Sequence, residues 1–275
     1  IGKIIVKNTD SIFVNFNCLG DDGKPLAGRE ALKRVIECGV TVENEIKPLL
    51  KAPHHLEYEK TFWPFVLFSK KRYVGNKYEF DLHKFKQTCM GIVLKRRDNA
   101  PIVKLVYGGI IDILMDSGDI YAAIDYLQGC LTKIVEGVYP IDLFIISKIL
   151  KPTSAYANPM GIAHWVLANR MGERDPGNKP KSNDRIPYVY IEIKETKSTL
   201  QGDRIEHPRY VIDNNLKIDY GFYITNQIMK PVSQIFDLVS EEAKGGRTTD
   251  ELFEDTLRIV ENRRKGLQTL DKWFS

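Results

Sequence analysis

Residues 3–16 read Lys-Ile-Ile-Val-Lys-Asn-Thr-Asp-Ser-Ile-Phe-Val-Asn-Phe. Two apolar, β-rich runs, Lys3–Val6 and Ile12–Phe16, flank the polar stretch Lys7-Asn8-Thr9-Asp10-Ser11. That pattern predicts a hairpin with Asp10 at or beside its turn. An aspartate there is first of all a turn former, because its short carboxylate bonds nearby backbone N–H groups. From Gly28 to Leu50, the residues Leu32, Val35, Ile36, Val40, Ile46 and Leu49 recur at helical spacing, and Pro53 closes the segment. Leu56–Lys60, Thr61–Ser69 and Arg72–Phe80 are aromatic and β-branched, with Gly75-Asn76 expected to supply a hairpin turn between Tyr73 and Tyr78. Met90–Leu94 reads as one more short strand. This part of the chain is α+β: antiparallel hairpin strands plus one long helix.

After Pro101 the texture becomes mainly helical. Ile102–Met115 and Ile120–Val138 have amphipathic spacing, with Asp119 placed to cap the second. Gly161–Met171 and Tyr220–Met229 are further helices, and Pro231 opens another whose apolar face is Val232, Ile235, Phe236 and Val239. Ile186–Ile193 alternates like a strand after a polar loop, Glu173–Arg185. Gly245-Gly246 precedes an acidic helical segment, Thr249–Arg263. A boundary is expected near Asp98–Pro101.

The composition fits a folded core: 275 residues, 43% hydrophobic and 10% aromatic. A disordered chain, a collagenous chain and a small disulfide scaffold are excluded. No apolar run reaches the ~18 residues of a membrane span, and none resembles a secretory leader. The chain opens on Ile1 rather than Met, which points to a fragment or a processed product. Cys18, Cys38, Cys89 and Cys130 form no CxxC pair, so reduced thiols in an intracellular compartment are expected.

The net charge of +4 is unevenly spread. Between Lys60 and Lys104, eleven basic residues face three acids, a net +8 that leaves −4 for the rest of the chain. A concentrated basic segment on a near-neutral body is an electrostatic footprint for a polyanion, although a charge run alone is as readily a solvated face. The interleaved Phe62, Trp63, Tyr73, Tyr78, Phe80 and Phe85 are equally readable as strand core.

Several blocks carry a resemblance. Thr9-Asp10-Ser11-Ile12-Phe13-Val14 resembles the catalytic hairpin of the replicative-type family B DNA polymerases, whose signature runs Asp-Thr-Asp-Ser. Ser69-Lys70-Lys71-Arg72-Tyr73-Val74-Gly75 is similar to that family's Lys-Lys-x-Tyr segment, and Gly91–Asp98 to the block leading into the thumb. Ala163–Ala168, Asp184–Val189, Glu206–Tyr210 and Ile218–Ile224 resemble thumb blocks. The blocks stand in family order and spread over nearly the whole chain, and the set has the flavour of large DNA viruses of eukaryotes. The resemblance implies a partial palm, residues 9–98, followed by a mainly helical thumb, residues 99–265. It implies a DNA-directed DNA polymerase that adds dNTPs to a primer 3′ end on primer-template DNA.

Nucleotide addition passes through a charged phosphoryl transition state, which two divalent ions about 3.5–4 Å apart stabilise on carboxylate oxygens. Magnesium takes oxygen ligands, so an aspartate on a rigid turn suits it. The resemblance makes Asp10 the catalytic residue and metal ligand for Mg2+, shared with residues outside this chain. It assigns Lys70, Lys71, Arg72 and Tyr73 to DNA binding, with Lys71 and Tyr73 at the minor groove near the primer terminus; in a strand those two would share one face. Arg96 and Arg97 would hold backbone phosphates. Arg185 and His164 are thumb candidates for DNA contact, although such a histidine is commonly just a satisfied, half-buried side chain. The family's other carboxylate and its fingers helix lie upstream, so the N-terminal remainder of the polymerase is an expected partner and this chain is not expected to polymerise alone. The rival reading is a non-catalytic duplex DNA-binding subunit derived from a thumb.

Both ends carry extra features. Val6-Lys7-Asn8 stands where the family has Tyr-Gly-Asp. Residues 1–8 are therefore either an altered hairpin strand, Asn8 replacing the first aspartate, or the tail of an intein, which would end Val-His-Asn before Thr, Ser or Cys. In the second reading Asn8 cyclises and the Thr9 hydroxyl accepts the upstream segment. Three departures at the one place inteins favour tilt the reading toward splicing. At the other end, residues 266–275 are similar to a sliding-clamp peptide, with Leu270, Trp273 and Phe274 as its apolar plug. A viral enzyme would work in the host nucleus or at a cytoplasmic replication site, with no membrane partner.

Overall fold

The computed structural model describes residues 2–7, 11–95, 99–193 and 200–265. The chain divides into two compact units, Ile1–Lys95 and Arg96–Ser275.

In the first unit, strands β1 (Gly2–Lys7) and β2 (Ile12–Phe16) pair antiparallel, from Gly2 opposite Phe16 to Lys7 opposite Ile12, with a bulge between Ile4 and Val6. Helix α1 (Gly28–Ile46) follows. Five of the six apolar positions expected of it lie within the helix, yet only Leu32 and Ile36 are buried, against Tyr78 with Tyr58 and Leu82 alongside. Strands β3 (Thr61–Ser69), β4 (Arg72–Tyr78) and β5 (Lys86–Met90) form an antiparallel sheet in that order.

Three segments of this unit differ from what their sequence predicts. Leu56–Lys60 is not a strand. Met90–Leu94 is not one either: β5 ends at Met90, Gly91 turns the chain at φ +63°, and Val93–Lys95 is a short 3-10 turn. Gly75-Asn76 is no turn; both residues lie inside β4, with Gly75 opposite Phe65 and Thr88. Glycine stands there for space, since a β carbon would lie 2.9 Å from the Phe65 ring and 3.0 Å from the Pro64 carbonyl oxygen. The hairpin turn is instead Lys70-Lys71.

In the second unit, α2 (Pro101–Asp116) and α3 (Ile120–Val135) form the core. Ile102, Val106, Ile110 and Ile111 of α2 and Leu127, Leu131 and Ile134 of α3 are wholly excluded from solvent. The expected cap is present, with the Asp119 carboxylate accepting from Ala122 N–H at 2.9 Å. The Tyr126 ring lies over Gly109, where a β carbon would come within 2.3 Å, and its hydroxyl donates to the Leu105 carbonyl at 3.1 Å.

Two short strands, β6 (Ile146–Ile149) and β8 (Ile205–Glu206), flank β7 (Arg185–Tyr190) antiparallel. Between them in sequence lies α4 (Ala163–Arg174), and α5 (Pro208–Asp213) follows. From α6 (Tyr220–Phe222) the helix continues through a π-helical stretch, Tyr223–Met229, into α7 (Lys230–Phe236). Pro231 thus lies inside one continuous helical run rather than opening a new helix. Helix α8 (Glu251–Arg264) closes the unit, with Gln128 of α3 donating to the Leu252 carbonyl. The α+β class is borne out in both units.

Buried polar groups organise the second unit. The Tyr223 hydroxyl donates to the Phe144 carbonyl at 2.6 Å and accepts from Tyr190 N–H at 3.0 Å. Glu206, 3% exposed, lies 2.9 Å from Arg174 Nη2 and 3.3 Å from Arg170 Nε. The Arg174 guanidinium also stacks 3.7 Å from the Tyr210 ring centroid. Two cations against one buried carboxylate fix α4 to β8.

Candidate functional site

The hairpin and the Lys-Lys-Arg-Tyr strand meet through aromatic rings. Phe13, the second residue of β2, lies 5.7 Å from Phe65 and 6.0 Å from Phe62, both near-parallel, and 5.5 Å edge-on from Tyr73. Phe62 and Phe65 each also lie 5.5 Å from Tyr73. Four rings at such spacings form a mutually packed cluster, each pair adding to the apolar burial. Asn8, Thr9 and Asp10 lie outside the described residues. The strand ends on either side of them, Lys7 and Ile12, pair with each other.

Lys70 and Lys71 are exposed at the turn between β3 and β4. Lys71 has φ +66°, the left-handed conformation that a long side chain seldom holds. The sequence reading placed Lys71 and Tyr73 on one strand face; the structure separates them. Lys71 belongs to the turn, whereas Tyr73 is 8% exposed inside the ring cluster. Arg72 is half-buried at the start of β4.

The charges of this segment sort themselves. Lys77 lies 2.6 Å from Glu79, Lys84 lies 3.7 Å from Asp81, and Lys60 pairs with Glu59. The Lys77 ammonium holds the Glu79 carboxyl below its usual range, and the His83 N–H does the same for Asp81. No carboxylate among the described residues is paired with Lys70 or Lys71. The positive potential that survives in this segment includes the turn. Arg96 and Arg97 lie outside the described residues, as do Leu270, Trp273 and Phe274.

In the second unit Arg185 is exposed at the start of β7. Its Nε donates to Ser147 Oγ at 3.2 Å and its Nη2 to the Ser147 carbonyl at 3.0 Å, across the strand pair. His164 is half-buried at the start of α4, with Nε2 3.3 Å from the Tyr156 hydroxyl. Burial lowers its pKa, the Lys148 charge lowers it further, and a hydrogen bond to the Ile149 backbone partly offsets both. The Nε2 end of the ring is therefore engaged within the unit. Ser147 and Lys148 are successive strand residues and point to opposite faces of the sheet. Arg185 bonds Ser147 and His164 bonds Tyr156, so no hydrogen bond among the described residues joins the two.

Lys148 and Lys151, both exposed and close to these residues, escaped the sequence reading. A four-residue strand is too short to show a period, and the spacing of the two lysines is the only signal it left. The four cysteines are free thiols; Cys18 meets Cys38, and burial followed by that neighbour pushes the Cys18 thiol up. Among the described residues no group of three His, Cys, Asp or Glu side chains is placed to hold a metal ion, and no helix is long and apolar enough to cross a membrane.

A model of DNA polymerase family B matches residues 3–239. This chain belongs to that family. The family B blocks quoted from the sequence, Thr9 through Ile224, all fall inside the matched range, whereas residues 266–275 fall outside it. The chain is 54% identical over 236 residues to a DNA polymerase of Pyramimonas orientalis virus, covering 86% of this chain and 19% of that protein. It is 49% identical over 278 residues to a DNA polymerase of Acanthamoeba polyphaga mimivirus, covering 100% of this chain and 16% of that protein. It is 34% identical over 237 residues to the DNA polymerase delta catalytic subunit of Caenorhabditis elegans, covering 86% of this chain and 20% of that protein. The family B chain therefore spans a fifth or less of the length of these relatives, and it is of viral type.

Proposed function

We propose that this chain is the distal palm and thumb of a DNA-directed DNA polymerase, residues 9–98 and 99–265, which adds dNTPs to a primer 3′ end. The observation that carries the reading is the ring cluster. Phe13 stands three residues after Asp10, and its contact with Tyr73 ties the signature hairpin to the segment that ends in Lys70-Lys71-Arg72-Tyr73. Two blocks some sixty residues apart in sequence are thereby one structural element. That is what a site needs if a catalytic carboxylate and a primer-end contact are to act on the same nucleotide.

Asp10 would hold magnesium through its carboxylate oxygens, together with an acid from the N-terminal remainder of the polymerase. When bound, the ions supply charge stabilisation to the transferred phosphoryl group. This chain's own residues hold the substrate. Lys71, presented by the exposed turn, meets the primer end, while Tyr73 supports the turn from inside the cluster rather than touching solvent. Arg96, Arg97 and Arg185 contact backbone phosphates, where cationic donors fix position without reading sequence. Ser147 holds the Arg185 guanidinium on two of its donors and leaves the others for phosphate. His164, engaged with Tyr156 and Ile149, serves the fold of this surface, and Lys148 and Lys151 add charge beside it. The work is replication in an intracellular compartment of the infected host.

The test uses the complete polymerase and its Lys71→Ala variant. Duplex affinity should fall steeply with salt, because phosphate contacts release counterions. Lys71→Ala should lower primer extension by about tenfold or more while changing duplex affinity by less than about threefold, as expected when a contact matters most during reaction. A flat salt response would remove DNA binding, and equal losses in extension and affinity would contradict the primer-end role. A polymerase unaffected by loss of the Asp10 carboxylate would favour the non-catalytic binding subunit.

A further inference from the structure

The exposed lysine turn is held from behind by a residue that has no side chain. Gly91 follows the last strand residue of β5 at φ +63°. A β carbon at Gly91 would lie 2.3 Å from the Lys71 carbonyl oxygen, 3.1 Å from Arg72 Cγ and 3.4 Å from the Lys71 carbonyl carbon. The first distance is far inside contact, and the obstacle is backbone, which cannot rotate away as a side chain can. Lys71 itself sits in the left-handed region at φ +66°. A non-glycine residue persists there only where its surroundings over-determine it. Two restraints are visible. The ring cluster grips Tyr73, two residues on, and the bare face of Gly91 receives the Lys71 peptide. Met90, the neighbour of Gly91, pairs with Tyr73 and carries the ladder up to this contact.

We propose that Gly91 is a positioning residue for nucleotide addition: it seats the Lys71 backbone and so aims the Lys71 ammonium at the primer end. The proposal rests on the reading that Lys71 meets the primer. It joins two sequence blocks, Ser69–Gly75 and Gly91–Asp98, into one device, and it gives Gly91 a role that turn formation alone would not. Any side chain there must displace the Lys71 carbonyl, which tilts the whole turn.

The experiment compares the complete polymerase with its Gly91→Ala, Lys71→Ala and doubly substituted forms. Gly39→Ala serves as a control, because a β carbon there would lie 2.4 Å from the Tyr58 ring, within the same unit but away from the turn. Single-turnover nucleotide incorporation, duplex affinity and Tm are measured for each. Gly91→Ala should slow incorporation about tenfold with duplex affinity held within about twofold, since small misplacements near reacting atoms are costly. Adding Gly91→Ala to Lys71→Ala should cause no further loss, and Gly39→Ala should lower Tm while leaving incorporation at the parent rate. If Gly91→Ala does not fold, Gly91→Asn delivers the same β carbon on a residue that tolerates the left-handed backbone. Losses that multiply in the double variant, an unimpaired Gly91→Ala enzyme, or an equal loss in Gly39→Ala would each overturn the proposal. A silent Lys71→Ala would overturn it too, and would show that the fault lies in the primer-end reading.

Discussion

Truncating Phe13 to alanine removes the ring that ties the hairpin to the strand behind it. Its centroid lies 5.5–6.0 Å from those of Phe62, Phe65 and Tyr73. A fully buried Phe→Ala change costs about 3–5 kcal/mol; Phe13 is half-buried, so ~2 kcal/mol is the appropriate figure. Hairpin amides should therefore exchange with solvent about 30-fold faster, since each ~1.4 kcal/mol is tenfold in an opening equilibrium. Hydrogen exchange read by peptide mass spectrometry measures this for residues 11–16, with the β6–β7 peptides as an internal reference. Phe13→Leu keeps much of the apolar contact and should lie between alanine and the parent. In the complete polymerase, Phe13→Ala should also lower primer extension, because Asp10 stands between the two hairpin strands in sequence. Unchanged exchange in the hairpin, or equal acceleration in β6–β7, would refute the ring cluster as the tie.

His164 and His207 both carry lowered pKa values, burial being the first cause in each case. The unfolded chain then takes protons that the folded chain refuses once pH drops below the ordinary value of 6.5. Their contribution to stability is complete above that value and is lost as pH falls from it through the lower folded values. Urea denaturation between about pH 5 and 7 should show this slope, and replacing both histidines with glutamine should flatten it; an equally steep profile in the double variant would refute it. Deleting Trp273 and Phe274 should abolish clamp-dependent processivity and spare basal extension, and unchanged processivity would defeat the clamp-peptide reading. Intein excision predicts a mature polymerase peptide in which Thr9 follows an upstream residue; mass spectrometry finding Val6-Lys7-Asn8 still joined to Thr9 in active enzyme would rule excision out.

Periodic features of the chain were legible because burial imposes period. The apolar rows of α2 and α3 and the carboxylate of Asp119 announced their helices, and Ile12–Phe16 announced its strand. Position-specific crowding was not legible. Gly75-Asn76 looks like turn chemistry, yet Gly75 answers to the Phe65 ring and the Pro64 carbonyl, neither of which is adjacent in sequence. The Lys70-Lys71 turn lacks any glycine or asparagine of its own, because the restraint that permits it comes from Gly91 and Tyr73. Strands of two and four residues, such as β8 and β6, are too short to display alternation. At the candidate site the order of the blocks revealed the family, but residue types alone could not tell an outward Lys71 from an inward Tyr73. Nor could they show that the His164 ring is spoken for by Tyr156 and Ile149.

The Tyr223 hydroxyl bears on how the second unit folds. It is satisfied only when the segments around Phe144, Tyr190 and Tyr223 have all arrived, and they are separated by tens of residues along the chain. Any half-assembled form that brings two of them together traps a polar atom without its mate, at a cost of about 1–3 kcal/mol. Partial structures are thereby penalised, and these three segments should melt and re-form as one cooperative block rather than fray piecemeal.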